Sequence, residues 1–304
     1  MSKVYVFTAF GGPETQRLID RPVPEPGPGE LAVQVRAAGV NPVDWKIRSG
    51  RYGKQTPLPA PMGQEVAGVV TVVGDGVDGF AVGEPILGPV VPGYGAFAED
   101  TLVRAAEAMA KPAEISFTDA ATIPVAAATA YDGTHQIELE PGQRLLILGA
   151  GGGVGLMAAQ IGKVHQLTAI GVASPAKREV VESTGATFVP SGDGVSDRVR
   201  QVAPGGVDLI LDLVGGDALR EVAGLVDDPT RIISAADPGT ATELGGTALH
   251  RTAEAMEKIT AVIEYHLVDP HVSAVYSLQD AGEAIGAVEN GHATGKIVIE
   301  VPGA

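Results

Sequence analysis

The residues whose types and spacing could do chemistry lie between Arg144 and Gly155, RLLILGAGGGVG. A short apolar run, Leu145 to Leu148, enters a cluster of glycines, and Val154 to Ile161 continues with helical apolar spacing. The stretch therefore reads as strand, tight turn and helix. Such a turn is a place to lay a pyrophosphate. Glycines at 149, 152 and 155 remove each Cβ that would hold a phosphate away from the backbone, while the new helix aims unpaired N–H groups and its positive dipole end at the same spot. The spacing departs from strict G-x-G-x-x-G, because Val154 stands where the third glycine counted from Gly149 and Gly151 falls, and what survives is G-x-x-G-x-x-G. A flexible glycine loop is the other reading; the strand before and the helix after favour a dinucleotide.

The end of the next strand selects the dinucleotide. An NAD-specific site usually carries Asp or Glu about 20 residues past the glycines, where it accepts from the ribose hydroxyls. Here that end reads Gly171-Val172-Ala173-Ser174-Pro175-Ala176-Lys177-Arg178, without an acid and with two cations. Ser174 is a suitable N-cap and Pro175 a suitable first helical residue, which puts Lys177 and Arg178 in a first helical turn that disfavours positive charge. A ligand 2′-phosphate reverses that sign, so the cofactor expected is NADPH. Two solvated cations paired with Glu179 and Glu182 are the plainer alternative.

The elements that must position these residues follow from length and texture. A chain of 304 residues exceeds one ordinary core, so two domains are expected. Residues 1 to about 110 are dense in proline and glycine and read as antiparallel strands at Val4–Phe7, Leu31–Val40, Val66–Val73 and Ala96–Ala105. Leu31 to Val35 alternates like a half-buried strand, whereas VAGVVTVV resembles a strand covered on both faces. From Ser116 the texture changes: a helix over Ala120 to His135, then strands at Arg144–Leu148, Leu167–Ala173, Val207–Val214 and Arg231–Ala236 alternating with helices. That alternation predicts a doubly wound parallel sheet, an α/β class. The tail returns to β character: VSAVYSL, a helix over Leu278 to Asn290 ended by Gly291, and a strand Lys296–Val301 that rejoins the first domain.

Composition excludes several functions. A formal charge of −16 repels nucleic acid and anionic membrane alike, so a bound anion needs a local positive site. There is no cysteine, which removes disulfides, thiolate catalysis and every cysteine-based metal site. No signal peptide or membrane span is legible, and a cytoplasmic location is expected. Oxidising a plain alcohol needs a Lewis acid or a lowered-pKa tyrosine helped by lysine. None of the six tyrosines has a lysine four residues on. The histidines are scattered; His266 and His271 come closest to a pair, but helix-breaking Asp269-Pro270 lies between them and they read as exposed loop histidines. No metal is expected.

Ordered blocks along nearly the whole chain carry a resemblance: AAGVNPVDWKIRSGRY (37 to 52), PMGQEVAGVVTVVGDGV (61 to 77), GYGAFAED (93 to 100), IPVAAATAY (123 to 131), the glycine turn, GGVDLILDLVGG (205 to 216) and GHATGKIVI (291 to 299). They resemble the zinc-free quinone oxidoreductase branch, the zeta-crystallin-like proteins, of the medium-chain dehydrogenase/reductase superfamily. Zinc-dependent relatives have a cysteine in the first block and Gly-His-Glu in the second, where this chain has Asn41 and Gln64. The resemblance implies a GroES-like antiparallel β domain, residues 1–123 with 267–304, a Rossmann domain over 124–266, and a homodimer. It implies that Gly149, Gly152, Gly153, Val154 and Gly155 line the pyrophosphate, and that Ser174 and Lys177, with Arg178 beside them, hold the 2′-phosphate. Asn41 and Thr129 then sit near the nicotinamide, Leu213 and Val214 pack beside it, and Ser234, Ala235 and Ala236 reach its carboxamide. His292 falls where relatives carry a basic residue near the 2′-phosphate, or is a helix-end loop histidine. Relatives often present a tyrosine to the adenosine phosphate where this chain has Gly192, which weakens the expected preference.

NADPH without metal suits acceptors that need no alkoxide: quinones, or α,β-unsaturated carbonyl compounds that take hydride at a conjugated carbon. The remote oxygen then needs hydrogen-bond donors, and the resemblance offers Tyr52 with Asn41 nearby. An ordinary half-buried loop aromatic is the competing reading of Tyr52, and Asp44 reads as a structural acceptor. An enoyl-thioester reductase is a near alternative, and an NADPH-binding sensor or structural protein with little turnover is one of another class.

Overall fold

The computed structural model describes residues 1–291 and 293–302. The chain divides into two compact units, 1–125 with 272–304 and 126–271.

In the first unit the long strand Glu30–Val40 is the hub. It pairs antiparallel with Glu65–Val73, Asp100–Arg104 and the C-terminal strand Lys296–Glu300, the last in register Ile297 with Val40 and Glu300 with Ala37. Among the described residues these belong to a seven-stranded sheet that also takes in Val272–Ser277, Pro85–Pro89 and Met109–Ala110; a three-stranded sheet joins Gln16–Arg21, Ser2–Phe7 and Ala60–Pro61. The C-terminal strand thus rejoins the first unit, as expected. Two strand readings need correction. Leu31 to Val35 is buried on both faces, because Ala32 packs with Val91 and Leu102 while Val33 and Val35 enter the main core. Glu65–Val73 is covered on both faces only in its first half, and Val72 is 48% exposed. Of Ala96–Ala105 only Asp100–Arg104 is a regular strand; the segment before it makes an isolated bridge from Ala98 to Val4.

The helix expected over Ala120 to His135 is interrupted. Phe117–Ala120 and Ala128–His135 are α-helical, and Ile123–Ala127 forms a wider π-type turn between them. Pro124 supplies no N–H to an α-helical ladder, and the Val125 N–H that follows donates to the Glu65 carboxylate at 2.7 Å.

The second unit carries a six-stranded sheet in the spatial order Thr187–Pro190, Thr168–Ala173, Arg144–Leu148, Leu209–Asp212, Ile232–Ser234, Thr247–Ala248, parallel throughout. In chain order that is 3-2-1-4-5-6, the Rossmann arrangement, whose direction reverses beside the strand Arg144–Leu148. The helix Gly153–Val164 leaves this strand and packs back on the sheet, where Gly162 lies against Leu145 and Ala169; its Leu156, Met157 and Ile161 are buried. Among the described residues no helix is long and apolar enough to cross a membrane.

Two glycines of that one helix predict opposite outcomes. A Cβ on Gly155 meets the Gly149 carbonyl oxygen at 2.5 Å and Ala150 Cα at 2.6 Å, both backbone. A Cβ on Gly162 meets nothing nearer than 3.6 Å. Gly155→Ala should therefore destabilise by about 1–3 kcal/mol, and Gly162→Ala should stabilise by about 0.5–1 kcal/mol. Urea unfolding of the two variants checks the signs; equal effects would mean that the turn gives way without cost.

Candidate cofactor site

The strand Arg144–Leu148 ends in Gly149, whose φ of 85° lies where only glycine is comfortable. The N–H groups of Gly149 and Ala150 both donate to the Val172 carbonyl at 3.0 Å, which folds the turn against the neighbouring strand. Gly152 is the N-cap of the helix Gly153–Val164 and has no side chain with which to cap it. The first N–H groups of that helix are therefore left for something other than a side chain, at the positive end of twelve residues of aligned dipoles. Gly155 lets the helix descend directly onto the turn, and Gly171 on the neighbouring strand makes room for Ala150 and Val181.

The expected phosphate residues sit at the end of the second strand. Ser174 is the N-cap of a 3-10 turn, Pro175–Lys177, and its side chain caps nothing. The α-helix proper begins at Arg178 and runs only to Ser183. The aliphatic stem of Lys177 lies across Gly151, where a Cβ would meet Lys177 Cδ at 2.5 Å and Cβ at 2.9 Å. Gly151 is thus small because the lysine occupies its side-chain space. Burial pushes the Lys177 ammonium below its ordinary range. Arg178 is held otherwise: its guanidinium lies 4.4 Å from the Phe188 ring centroid and Nη1 is 2.9 Å from Glu182. Lys177 is therefore the cation beside the turn. His292 lies outside the described residues.

The ends of the fourth and fifth strands are tied by a carboxylate that the sequence reading did not single out. Asp212 is fully buried; Oδ1 accepts from Val214 N–H at 2.9 Å and Gly215 N–H at 2.8 Å, and Oδ2 accepts from Ser234 Oγ at 2.6 Å. Ser234 Oγ in turn accepts from the Asp237 N–H at 2.8 Å and, at 3.2 Å, from that of Ala236. The Ser234 hydroxyl is consumed in positioning these loops, and Ala235 N–H is spent on the Asp212 carbonyl. This brace lays Leu213 and Val214 against Gly149, with Val214 Cγ2 3.1 Å from the Cβ position of that glycine and more than half exposed. Thr129 is buried in the helix Ala128–His135. The turn, Ser174, Lys177, Leu213 and Val214 thus lie around one end of the sheet of this unit, where uncapped N–H groups, glycine surface and one lysine suit a dinucleotide.

In the first unit Asn41 belongs to a buried polar cluster. Its Nδ2 donates to Glu65 Oε1 at 2.7 Å, and its Oδ1 accepts from Lys296 Nζ at 2.8 Å. Lys296 Nζ also donates to Glu65 Oε1 at 2.9 Å and to the Val40 carbonyl at 3.0 Å. Asn41 opens the helix Pro42–Arg48, and its backbone N–H donates to Asp44 Oδ2 at 2.8 Å, one half of a capping box. Asp44 is thus an acceptor, as read from the sequence, but its Oδ1 is buried without a hydrogen-bond partner. Burial raises its carboxyl to about 7 against the pull of the Asn41 N–H and Lys296. Tyr52 stands 61% exposed in the loop after that helix. Among the described residues no group of three or more His, Asp or Glu is placed to hold a metal.

Glu65 and Lys296 escaped the sequence reading. The available signal was a single charge opening an otherwise apolar strand, Glu65 before VAGVV and Lys296 before IVI. Such a charge is buried only when it has a partner. Lys296→Met leaves the Glu65 carboxylate buried without its cation and should cost about 3–5 kcal/mol in urea unfolding of the cofactor-free protein. Adding Glu65→Gln removes the orphaned charge and should recover part of the loss; a double variant no more stable than the single would show that the ion pair is incidental.

Comparison with known proteins agrees with this arrangement. Residues 27–113 match the family described as Alcohol dehydrogenase GroES-like domain, and residues 179–299 that described as Zinc-binding dehydrogenase. The mouse Synaptic vesicle membrane protein VAT-1 homolog is 37% identical over 218 residues, 69% of this chain and 53% of that protein, so the chain matches about half of that relative's length. The 2-methylene-furan-3-one reductase of Solanum lycopersicum is 30% identical over 98% of this chain and 78% of its own. The solved quinone oxidoreductase from Coxiella burnetii superposes with a TM-score of 0.90 at 26% identity, covering 99% of each chain. Human quinone oxidoreductase is 30% identical over 322 residues, 98% of this chain and 97% of that one, and agreement over so nearly the whole of both chains shows that this protein belongs to the quinone oxidoreductase branch of the medium-chain dehydrogenase/reductase superfamily.

Proposed function

We propose that the protein is an NADPH-dependent, metal-independent reductase that delivers hydride to quinones or to the activated double bonds of α,β-unsaturated carbonyl compounds. The observation that carries the cofactor half is Lys177 laid over Gly151 beside an uncapped helix N-terminus, with no acid at the end of the second strand. Gly149 to Gly155 and the first helical N–H groups receive the pyrophosphate; Ser174 and Lys177 receive the 2′-phosphate. Bound there, NADPH supplies a hydride. Leu213 and Val214, held by the Asp212 brace, give an apolar surface for the nicotinamide ring. The names of the human and tomato relatives support the acceptor classes. Asn41 stands where zinc-dependent relatives have a cysteine, and its amide is already bonded to Lys296 and Glu65. With no such ligand there, an acceptor that carries its own conjugation is the one that needs no Lewis acid.

Lys177→Ala should cost on the order of 1.5–3 kcal/mol in NADPH binding and little in NADH binding, because it removes one charge-assisted contact to a phosphate. Fluorescence titration with both cofactors reads this directly. Equal weakening of both would make the lysine a surface residue only, and a wild type that prefers NADH would overturn the cofactor assignment.

With an enone acceptor, deuteride from 4-deuterated NADPH should appear on the β-carbon, since the developing charge spreads to oxygen while carbon receives the hydride. Deuterium on the carbonyl carbon, giving the allylic alcohol, would overturn the reaction class. If Tyr52 donates to the enolate oxygen, Tyr52→Phe should lower kcat by about 10²- to 10³-fold with a smaller change in KM. An unchanged kcat removes this exposed phenol from the mechanism.

A further inference from the structure

The helix Pro42–Arg48 runs into a loop whose charge is opposite to that of the chain. From Trp45 to Gln64 there are four cations, Lys46, Arg48, Arg51 and Lys54, and no acid, in a protein of net charge −16. Arg48 is fully buried and spent on Glu289, at 2.7 and 2.8 Å from the two carboxylate oxygens. The loop beyond it is tightly built. Gly50 N–H donates to the Ile47 carbonyl at 2.9 Å, Arg51 N–H to that of Lys46 at 3.1 Å, and Gly53 N–H to that of Gly50 at 3.0 Å. Gly50 and Gly53 take φ of 83° and 94°, which only glycine accepts readily. The two exposed cations of this loop are held by their stems. The Arg51 guanidinium lies 4.7 Å from the Trp45 ring centroid, and the Lys54 stem crosses Gly50, whose Cβ position is 3.1 Å from Lys54 Cε. Neither forms an ion pair among the described residues. The acid of the adjoining turn, Glu14, is turned to the Gly12 N–H at 3.0 Å.

We propose that the acceptor is an enoyl thioester of a phosphate-bearing thiol, coenzyme A, and that Arg51 and Lys54 hold its anionic half. The proposal rests on the reductase reading above and names the acceptor of that reaction. A quinone or simple enone has no charge for these cations to meet. A polyanionic acceptor does, and in the repulsive general field of this protein it needs positive charge fixed at the place where it binds. Arg51 and Lys54 flank Tyr52 in one turn of chain, so an acceptor whose carbonyl meets the phenol brings its remote end to the two cations. A thioester carbonyl conjugated to a double bond takes hydride at the β-carbon, and a proton from water is added at the α-carbon. The product is the saturated thioester, and the dinucleotide leaves oxidised.

The test compares two acceptors with the same acyl group, crotonyl-coenzyme A and the N-acetylcysteamine thioester of crotonate, beside 2-cyclohexenone and a naphthoquinone, with NADPH as the reductant. The expected kcat/KM is about tenfold or more higher for crotonyl-coenzyme A at low salt, and the advantage should shrink between about 20 and about 300 mM NaCl. In Arg51→Glu/Lys54→Glu the ratio of the two thioesters should fall to one or below, chiefly through KM. In Lys163→Glu/Lys258→Glu, which changes the net charge equally at exposed positions of the second unit, the ratio should stay as in wild type. Circular dichroism of both variants checks the fold. Equal kcat/KM for the two thioesters in wild type, or a ratio that survives the Arg51/Lys54 reversal, would overturn the proposal while turnover of cyclohexenone or naphthoquinone leaves the reductase reading standing. Crotonyl-acyl carrier protein preferred to crotonyl-coenzyme A would overturn the small-molecule assignment. No turnover of any of these acceptors would instead overturn the reading on which the proposal rests.

Discussion

The interaction on which the first unit depends is the buried ion pair between Lys296 and Glu65, 4% and 0% exposed at their side chains. Taking two charges out of water costs several kcal/mol per ion, and the attraction repays it only if every remaining proton and lone pair is satisfied. Here the surroundings meet that condition. The three protons of Lys296 go to Val40, Asn41 and Glu65, and the Glu65 oxygens also accept from Asn41 and Val125. Gly39 leaves space for the carboxylate, since a Cβ there would lie 2.2 Å from Glu65 Oε1. One pair thereby fixes the C-terminal strand, the hub strand, the start of the helix Pro42–Arg48 and the π-type turn where the first unit ends. The hub strand and the helix after it are joined through Asn41, while the C-terminal strand and the π-type turn come from distant parts of the chain, and each supplies a group that the pair requires.

In the second unit backbone shape replaces charge as the organising constraint. Strand, turn and helix must pass within van der Waals distance of one another at Gly149, Gly155 and Gly171, and any Cβ there meets a neighbour. The same closeness leaves a helix N-terminus uncovered by side chains. Asp212 then holds the loops beyond the fourth and fifth strands through backbone N–H groups and Ser234, without offering its charge outward. The fold thus brings uncapped N–H groups and the apolar Leu213 and Val214 together from groups that are local to each strand end.

How much of this was legible in the sequence depends on whether the cause was local. Arg144–Leu148 was read to the residue because its apolar run is bounded by glycine on one side and charge on the other. The parallel order followed from strand and helix alternation. The break at Ile123–Ala127 was missed because the apolar spacing of IPVAAATAY continues through it; only Pro124 marked the irregularity, and Glu65, which receives the freed N–H, lies sixty residues away. The resemblance sends Ser234 toward the nicotinamide carboxamide, while its hydroxyl donates to Asp212, a contact that spans 22 residues and has no local signal. The loop reading of His266 and His271 agrees with the structure, whereas the contact between His135 and His165 has no local signal. His266 and His271 are near in sequence, yet each takes a left-handed φ, 56° and 53°, as turn residues do. His135 and His165 are 30 residues apart and meet only because two helices end side by side.

The net charge of −16 makes the local character of the cofactor site a physical necessity. The general field repels a phosphate-bearing cofactor, and at physiological salt that field is screened beyond about 8 Å. What holds an anion must therefore act at contact distance, as oriented N–H groups and a helix dipole end do. Lys177 packs its aliphatic stem beside the same turn. Its stem rests on Gly151, and burial pushes its ammonium below the ordinary lysine range. A partly buried cation is costly to desolvate, and in the proposed reading a cofactor phosphate offsets that cost.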